Sequence, residues 1–248
     1  MSAADELYEA YIEKVPLALG SIGVESVEEA YRIQDRVLEM KINDNDEYLR
    51  GYKVSLTSEE TQGIFNHDEP LYGALTNKNL INNAKYSDYN APKLEMEIAF
   101  LVQENLSVDD SEEDIIRKCL IAPGLEIPDG RYEDWFPNAS KYEVVADSAV
   151  AGGVTFGQSD FSTYEKLDDI KGVLTLDGEV IKEGRSSEVM GHPAKAVKWL
   201  VGKLHAHGKV VEAGKVISSG TFNLPVDLEK GYYEAVYENI GKVSLEVK

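Results

Sequence analysis

The spacing of apolar positions changes character near residue 50. Before it, apolar residues recur at helical intervals. Leu7, Tyr11 and Val15 share one face of a first predicted helix; Val27, Ala30, Tyr31, Gln34, Val37 and Leu38 share a face of a second. Ser26-x-x-Glu29 is a capping-box start for the second helix, and the turn formers of "INDNDEY" end it. "RGYKVSLTS" then opens a regime of short strands and loops.

Within that second regime, "TNKNLINNAKYSDYNAP" reads as a polar connection over a short strand, and "SEEDIIRKCL" as a short helix with acids in its first turn. "GVLTLDGEVIKEG" alternates around Asp177-Gly178, a type I′ hairpin signal. "GHPAKAVKWLVGKLHAHG" is the clearest helix: Pro193 suits its first turn, Val197, Leu200, Val201 and Leu204 form its apolar face, and Gly208 suits its stop. "GKVSLEVK" alternates as a last strand. The pattern predicts an α+β protein, with a helical N-terminal part over 1–50 and a β-rich part over 51–248.

The strand "PKLEMEIAF" distributes charge oddly. Leu94, Met96 and Ile98 fall on one side of the pleat, and Glu95, Glu97 and Ala99 on the other. The two glutamates stand roughly 7 Å apart along the strand. A solvated polar face explains such a pair in isolation, but solvent faces usually mix Lys, Thr and Ser. The strand also continues into "AFLV", apolar on both faces, as a buried strand does. Two buried carboxylates repel and lose their hydration; a divalent cation relieves both costs, and oxygen-only ligands favour Mg²⁺, Mn²⁺ or Ca²⁺ over zinc. Glu126, between Leu125 and Ile127 in "PGLEIPDGRYEDW", is a candidate third ligand, with Asp129, Asp134 and Asp147 as alternatives. Lys53, between Tyr52 and Val54, is either an edge lysine or a cation near that site, holding an anionic substrate or moving protons at a lowered pKa.

Composition narrows the class. The 248 residues carry 45 acidic and 25 basic side chains, a formal charge of −20. No Lys/Arg cluster exists to neutralise phosphates, which argues against nucleic acid or an anionic membrane as partner. "MSAADELYEAY" lacks the basic start and apolar core of a secretion signal, and apolar runs such as "IAFLV" are too short to span a bilayer, so a cytoplasmic location is expected. The single cysteine, Cys119, excludes an intramolecular disulfide and reads as a core filler. His205 and His207 end the predicted surface helix, His192 precedes Pro193, and His67 lies in a loop; none has ligand spacing. "GGVTFG" lacks the spacing of a phosphate loop.

Seven stretches, "GYKVSLTS", "DEPLYG", "PKLEMEIAF", "APGLEIPDGRYEDW", "VADSAVAGGVTFG", "GHPAKAVKWL" and "AGKVISSGTFNLPV", occur in an order and spacing that together carry a resemblance. From about Gly51 to its C-terminus the chain resembles the 2-keto-4-pentenoate hydratase and 4-oxalocrotonate decarboxylase group of the fumarylacetoacetate hydrolase superfamily. The resemblance implies a mixed β-roll, a homo-oligomer, and association with a related lyase as a further option. It implies Glu95, Glu97 and Glu126 as ligands of Mg²⁺ or Mn²⁺, and Lys53 as the catalytic lysine. Leu56, Thr57, Leu71, Asp147 and Thr221 are its candidate substrate-binding residues. The implied activity is hydration of 2-hydroxypenta-2,4-dienoate-type 2-oxo acids through a metal-stabilised enolate. The alternatives are decarboxylation of a 2-oxo-3-hexenedioate and, more remotely, a non-catalytic complex subunit. Two positions depart from the group's pattern: Leu71 stands where hydratases often carry Asp, and "ADSAV" has Ser148 and Val150 where the motif has Asn and Ser.

Overall fold

Serine side chains start the helices. Ser2 accepts the Asp5 N–H and Asp5 returns a bond to the Ser2 N–H, while Ser26 accepts the Glu29 N–H. In the computed structural model, which describes residues 1–248, these caps open α1 (Ala3–Glu13) and α2 (Val27–Asp44). Helix α1 ends at Lys14, in the left-handed region at φ 56°, so Val15 leaves the expected helical face and is exposed. Shorter helices follow: α3 (Glu59–Ile64), α4 (Glu112–Arg117), α5 (Trp135–Asn138) and α6 (Lys141–Ala146). The long α7 (Pro193–Ala206) carries the predicted Pro193, and Gly208 follows it at φ 72°.

The strands are β1 (Leu49–Ser55), β2 (Leu71–Thr76), β3 (Asn83–Ala84), β4 (Lys93–Val102), β5 (Cys119–Pro128), β6 (Ala151–Phe156), β7 (Lys171–Leu176), β8 (Glu179–Arg185), β9 (Val216–Thr221), β10 (Val226–Asp227), β11 (Gly231–Tyr237) and β12 (Gly241–Val247). One sheet runs β2-β1-β9-β4-β5-β6, with β10 beside β4; the other runs β3-β12-β11-β7-β8. The β1–β9 and β3–β12 pairs are parallel and the rest antiparallel, so both sheets are mixed. Asp177 and Gly178, both at positive φ, turn the β7–β8 hairpin as expected.

The change of pattern at residue 50 marks a change of element type inside one core. Leu7, Ala30, Tyr31 and Val37 of the first two helices join the same hydrophobic cluster as Val54, Met96, Ile98 and Leu125. Fully buried Gln34 ties α2 to the roll, donating to the carbonyls of Tyr72 (3.1 Å) and Val145 (2.7 Å) and accepting the Ala74 N–H (3.1 Å). His207 is not a plain surface residue: its Nδ1 lies 2.7 Å from the Tyr72 hydroxyl, beside the stacked Tyr31–Tyr72 pair. Cys119 is buried, and burial pushes its thiol up to about 12. No helix is long and apolar enough to cross a membrane.

Candidate metal centre

Strand β4 is buried along almost its whole length, so the Glu95/Glu97 side of its pleat faces protein rather than bulk water. Its antiparallel register with β5 sets Glu95 opposite Glu126 and Glu97 opposite Gly124. Opposed residues of a ladder share a face, which brings the three carboxylates together. One oxygen from each lies within 4.8 Å of the others. Lys53 reaches the same place from β1, where it pairs with Ser218 of β9. Its Nζ stands 2.8 Å from Glu126 Oε1, and the two side chains are 1% and 0% exposed.

Glu97 is held in place from β9. Its Oε2 accepts the Ser218 hydroxyl at 2.5 Å and the Gly220 N–H at 3.0 Å. Gly220 adopts φ +117°, and a side chain there would run into Thr57, so the position suits glycine alone. Tyr237, from the second sheet, accepts the Glu97 N–H at 3.0 Å and donates to the Gly124 carbonyl at 2.5 Å. This one hydroxyl straps β4 to β5 beneath the carboxylates.

The electrostatics describe a site built around an additional cation. Burial raises Glu95 well above the carboxylate range, with the Glu126 charge adding to it and Lys53 opposing. Burial and Glu126 likewise push Glu97 up to about 8, against Lys53 and its two hydrogen bonds. For Lys53, burial favours the neutral amine, but Glu126, Glu95 and Glu97 together outweigh it and raise the pKa. The lowered lysine pKa entertained from the sequence is therefore not found; three facing carboxylates hold the ammonium. Both Glu126 oxygens are buried without an aligned hydrogen-bond donor, despite the ion-pair contact with Lys53. Three carboxylates against one ammonium leave two negative charges when ionised. That balance and the all-oxygen donor set fit a hard divalent cation.

Glu126 is fully buried, and in front of it Glu95 and Glu97 open into a cavity. Ser55, Thr61 and Thr221 supply its hydroxyls, and Leu56, Ile64, Phe65, Phe136, Val144 and Val150 supply much of its apolar wall. Of the sequence-derived substrate residues, Leu56 and Thr221 line this space. Thr57, Leu71 and Asp147 do not. Thr57 packs against Gly220, and Leu71 is fully buried in β2. Asp147 is committed to Arg131, accepting its backbone N–H at 2.8 Å and its Nε, while Arg131 Nη2 donates to the Asp147 carbonyl at 2.9 Å. A buried carboxylate meets its nearest available cation, and for Asp147, at the end of α6, that is the Arg131 guanidinium. Asp129 accepts the backbone N–H groups of Asn90 and Ala91, and neither it nor Asp134 joins the three glutamates. Ser218, Gly220 and Tyr237 went unmarked in the sequence. "SSGT" lies in a stretch that carries the resemblance but is read only for Thr221, and "GYYEAVY" carries only the alternation of a buried strand.

A mixed β-roll with a buried carboxylate centre and an adjoining apolar cavity is the build of a metal-dependent enzyme. No protein-family model matches the chain. It is 30% identical over 236 residues to the 2-hydroxyhexa-2,4-dienoate hydratase of Comamonas testosteroni, covering 89% of this chain and 86% of that one. It is 29% identical over 253 residues to the 2-keto-4-pentenoate hydratase of Paraburkholderia xenovorans (strain LB400), covering 98% and 93%. The fold matches that of 4-oxalocrotonate decarboxylase from Pseudomonas putida G7, a protein solved with magnesium and adipate, at a TM-score of 0.89 and 24% identity over 99% of this chain and 96% of that one. The chain belongs to the family of these dienoate hydratases, to which a 4-oxalocrotonate decarboxylase is also related.

Proposed function

We propose that Glu95, Glu97 and Glu126 hold one Mg²⁺ or Mn²⁺, and that the protein is a lyase hydrating 2-keto-4-pentenoate (2-hydroxypenta-2,4-dienoate) type substrates. One observation carries the reading: three buried carboxylates converge within 4.8 Å with a single ammonium beside them. Bound there, the ion supplies Lewis-acid polarisation to the carboxylate and keto oxygens that a 2-oxo acid presents together. The protein's own groups do the rest. Lys53, its pKa raised by the facing carboxylates, keeps its Nζ positive next to where an acidic substrate docks. Ser218 and Gly220 fix the orientation of Glu97. Ser55 offers its hydroxyl to the water that adds, those of Thr61 and Thr221 being donated to the carbonyls of Ser58 and Asn223, and the apolar wall keeps bulk water away.

Decarboxylation of a 2-oxo-3-hexenedioate is the second reading. Val150 favours it, because an apolar side chain in the wall withholds a hydroxyl that could position water. Exposed Tyr232 and Val236, on the outer side of β11, support assembly into a homo-oligomer, testable by sedimentation. A cytoplasmic enzyme of small-molecule catabolism is the setting this chemistry fits. The deciding experiment is a side-by-side assay of 2-hydroxypenta-2,4-dienoate and 2-oxo-3-hexenedioate with Mg²⁺ and with Mn²⁺. Metal-dependent hydration of the first is expected. Folded protein that turns over neither substrate with either metal sinks the proposal.

A further inference from the structure

Three consecutive residues between α6 and β6 lie in the left-handed region: Ser148 (φ 52°), Ala149 (49°) and Val150 (53°). None is glycine. Left-handed backbone is unfavourable for any residue with a side chain, and most of all for a β-branched one such as Val150. A run of three is not kept by its own preferences, so the surrounding fold must hold it.

The run meets the surroundings of the carboxylates at both of its ends. Val150 belongs to the wall of the cavity that Glu95 and Glu97 also line. Ser148 crosses β2 at Gly73, so closely that a Cβ on Gly73 would collide with the Ser148 carbonyl. Gly73 is the partner of Lys53 in the β1–β2 ladder, and directly opposed residues share a face. The turn therefore covers the face from which Lys53 reaches Glu126.

Arg131 grips this turn by its two flanks. Its Nη2 donates to the Asp147 carbonyl at 2.9 Å and its Nη1 to the Ala151 carbonyl at 3.1 Å, the residues just before and just after the run. Its Nε and its backbone N–H hold the Asp147 carboxylate. The Asp129 N–H adds a bond to the Val150 carbonyl at 2.7 Å. A planar guanidinium spans the run in a way that a single ammonium cannot. Arg131 lines a separate groove with Tyr11 and Lys78 and not the cavity, so it bears on the reaction only through the turn.

We propose that Arg131 is a positioning residue. Anchored on Asp147, it holds the left-handed turn 148–150 against Gly73 and so fixes the cavity wall at Val150 and the face around Lys53. The inference rests on the lyase reading above and adds to it a residue that touches neither metal nor substrate.

The test is Arg131→Lys, with hydration of 2-hydroxypenta-2,4-dienoate measured at a temperature where circular dichroism shows the protein folded. A positive charge still faces Asp147, reinforced by buried Lys41, but the two flanking carbonyls lose their common donor. Mn²⁺ affinity by calorimetry is expected to stay that of the wild type, while kcat/KM falls about 10- to 100-fold, as misplaced reacting groups cost. Adding Ala149→Gly to that variant is expected to recover about tenfold, because glycine takes left-handed backbone freely. Ala149→Gly alone is the control against which the recovery is read. Asp147→Asn, which keeps the shape of the anchor, carries the same expectation and replaces Arg131→Lys if the latter does not fold. A folded variant with wild-type kcat/KM, however much less stable, makes the pair a structural one and overturns the proposal. So does a loss of activity matched by an equal loss of Mn²⁺ affinity, or one that Ala149→Gly leaves unrelieved. In those three cases wild-type turnover leaves the lyase reading standing; a wild type that turns over nothing overturns both.

Discussion

Glu95 stands directly opposite Glu126 across the β4–β5 ladder, on a buried face. Like charges facing each other destabilise a strand pair. The fold accepts this pair because Lys53 partly offsets it, and the divalent ion proposed above would complete the balance.

Glu97→Gln tests the ligand set most directly. The amide keeps the shape but removes a charge, so tight binding of Mg²⁺ or Mn²⁺ should be lost while circular dichroism stays native. Ser218→Ala, which removes only a hydrogen bond to the ligand, should cost about 10- to 100-fold in metal affinity. Unchanged affinity in Glu97→Gln by calorimetry would overturn the assignment.

Lys53→Met separates charge from ligation. The three carboxylates remain, so the variant should still bind metal, yet turnover should fall to background. A fully active variant, measured by loss of dienoate absorbance, would refute a catalytic role for this ammonium.

Metal binding should release protons and tighten as pH rises. With no ion bound, Glu97 titrates at about 8 and Glu95 is also raised, both chiefly by burial. Both must be ionised to ligate, so apparent affinity climbs as pH rises through about 8. Stability of the metal-free protein moves the other way. From the ordinary carboxylate pKa of 4.5 up to about 8, the folded state holds a proton that the unfolded chain has released, so Glu97 makes stability fall as pH rises through that window. Comparing urea midpoints of wild type and Glu97→Gln across it isolates the effect; the glutamine variant should show the smaller decline.

Tyr237→Phe should destabilise by about 1–3 kcal/mol, because the buried Glu97 N–H and Gly124 carbonyl both lose their partner. Metal affinity should weaken with it, since the strap lies beneath two ligand strands. Urea denaturation and calorimetry on one preparation read both effects, and a variant as stable as wild type contradicts the strap.

Most elements were legible in the sequence because their causes are local. Ser26 caps α2, Asp177-Gly178 turns the β7–β8 hairpin, and the apolar face of α7 is buried as its spacing predicts. Val15 was misplaced because periodicity does not register where a left-handed residue ends a helix. His207 was misread because its partners, Tyr31 and Tyr72, come from α2 and β2, far away along the chain.

The candidate site divides in the same way. Alternation alone put Glu95 and Glu97 on one side of a strand, but it left Glu126, Asp129, Asp134 and Asp147 equivalent; only the family's motif preferred Glu126. Register across β4 and β5 brings Glu126 to Glu95, and the path of α6 hands Asp147 to Arg131 instead. Neither outcome is written in periodicity, which reports the face a residue takes and not the strand that will face it. The sequence by itself determined the helices, the strands and the acids available. Tertiary structure decided which charges meet, since compensation between buried ions depends on distances across strands that the chain order leaves open.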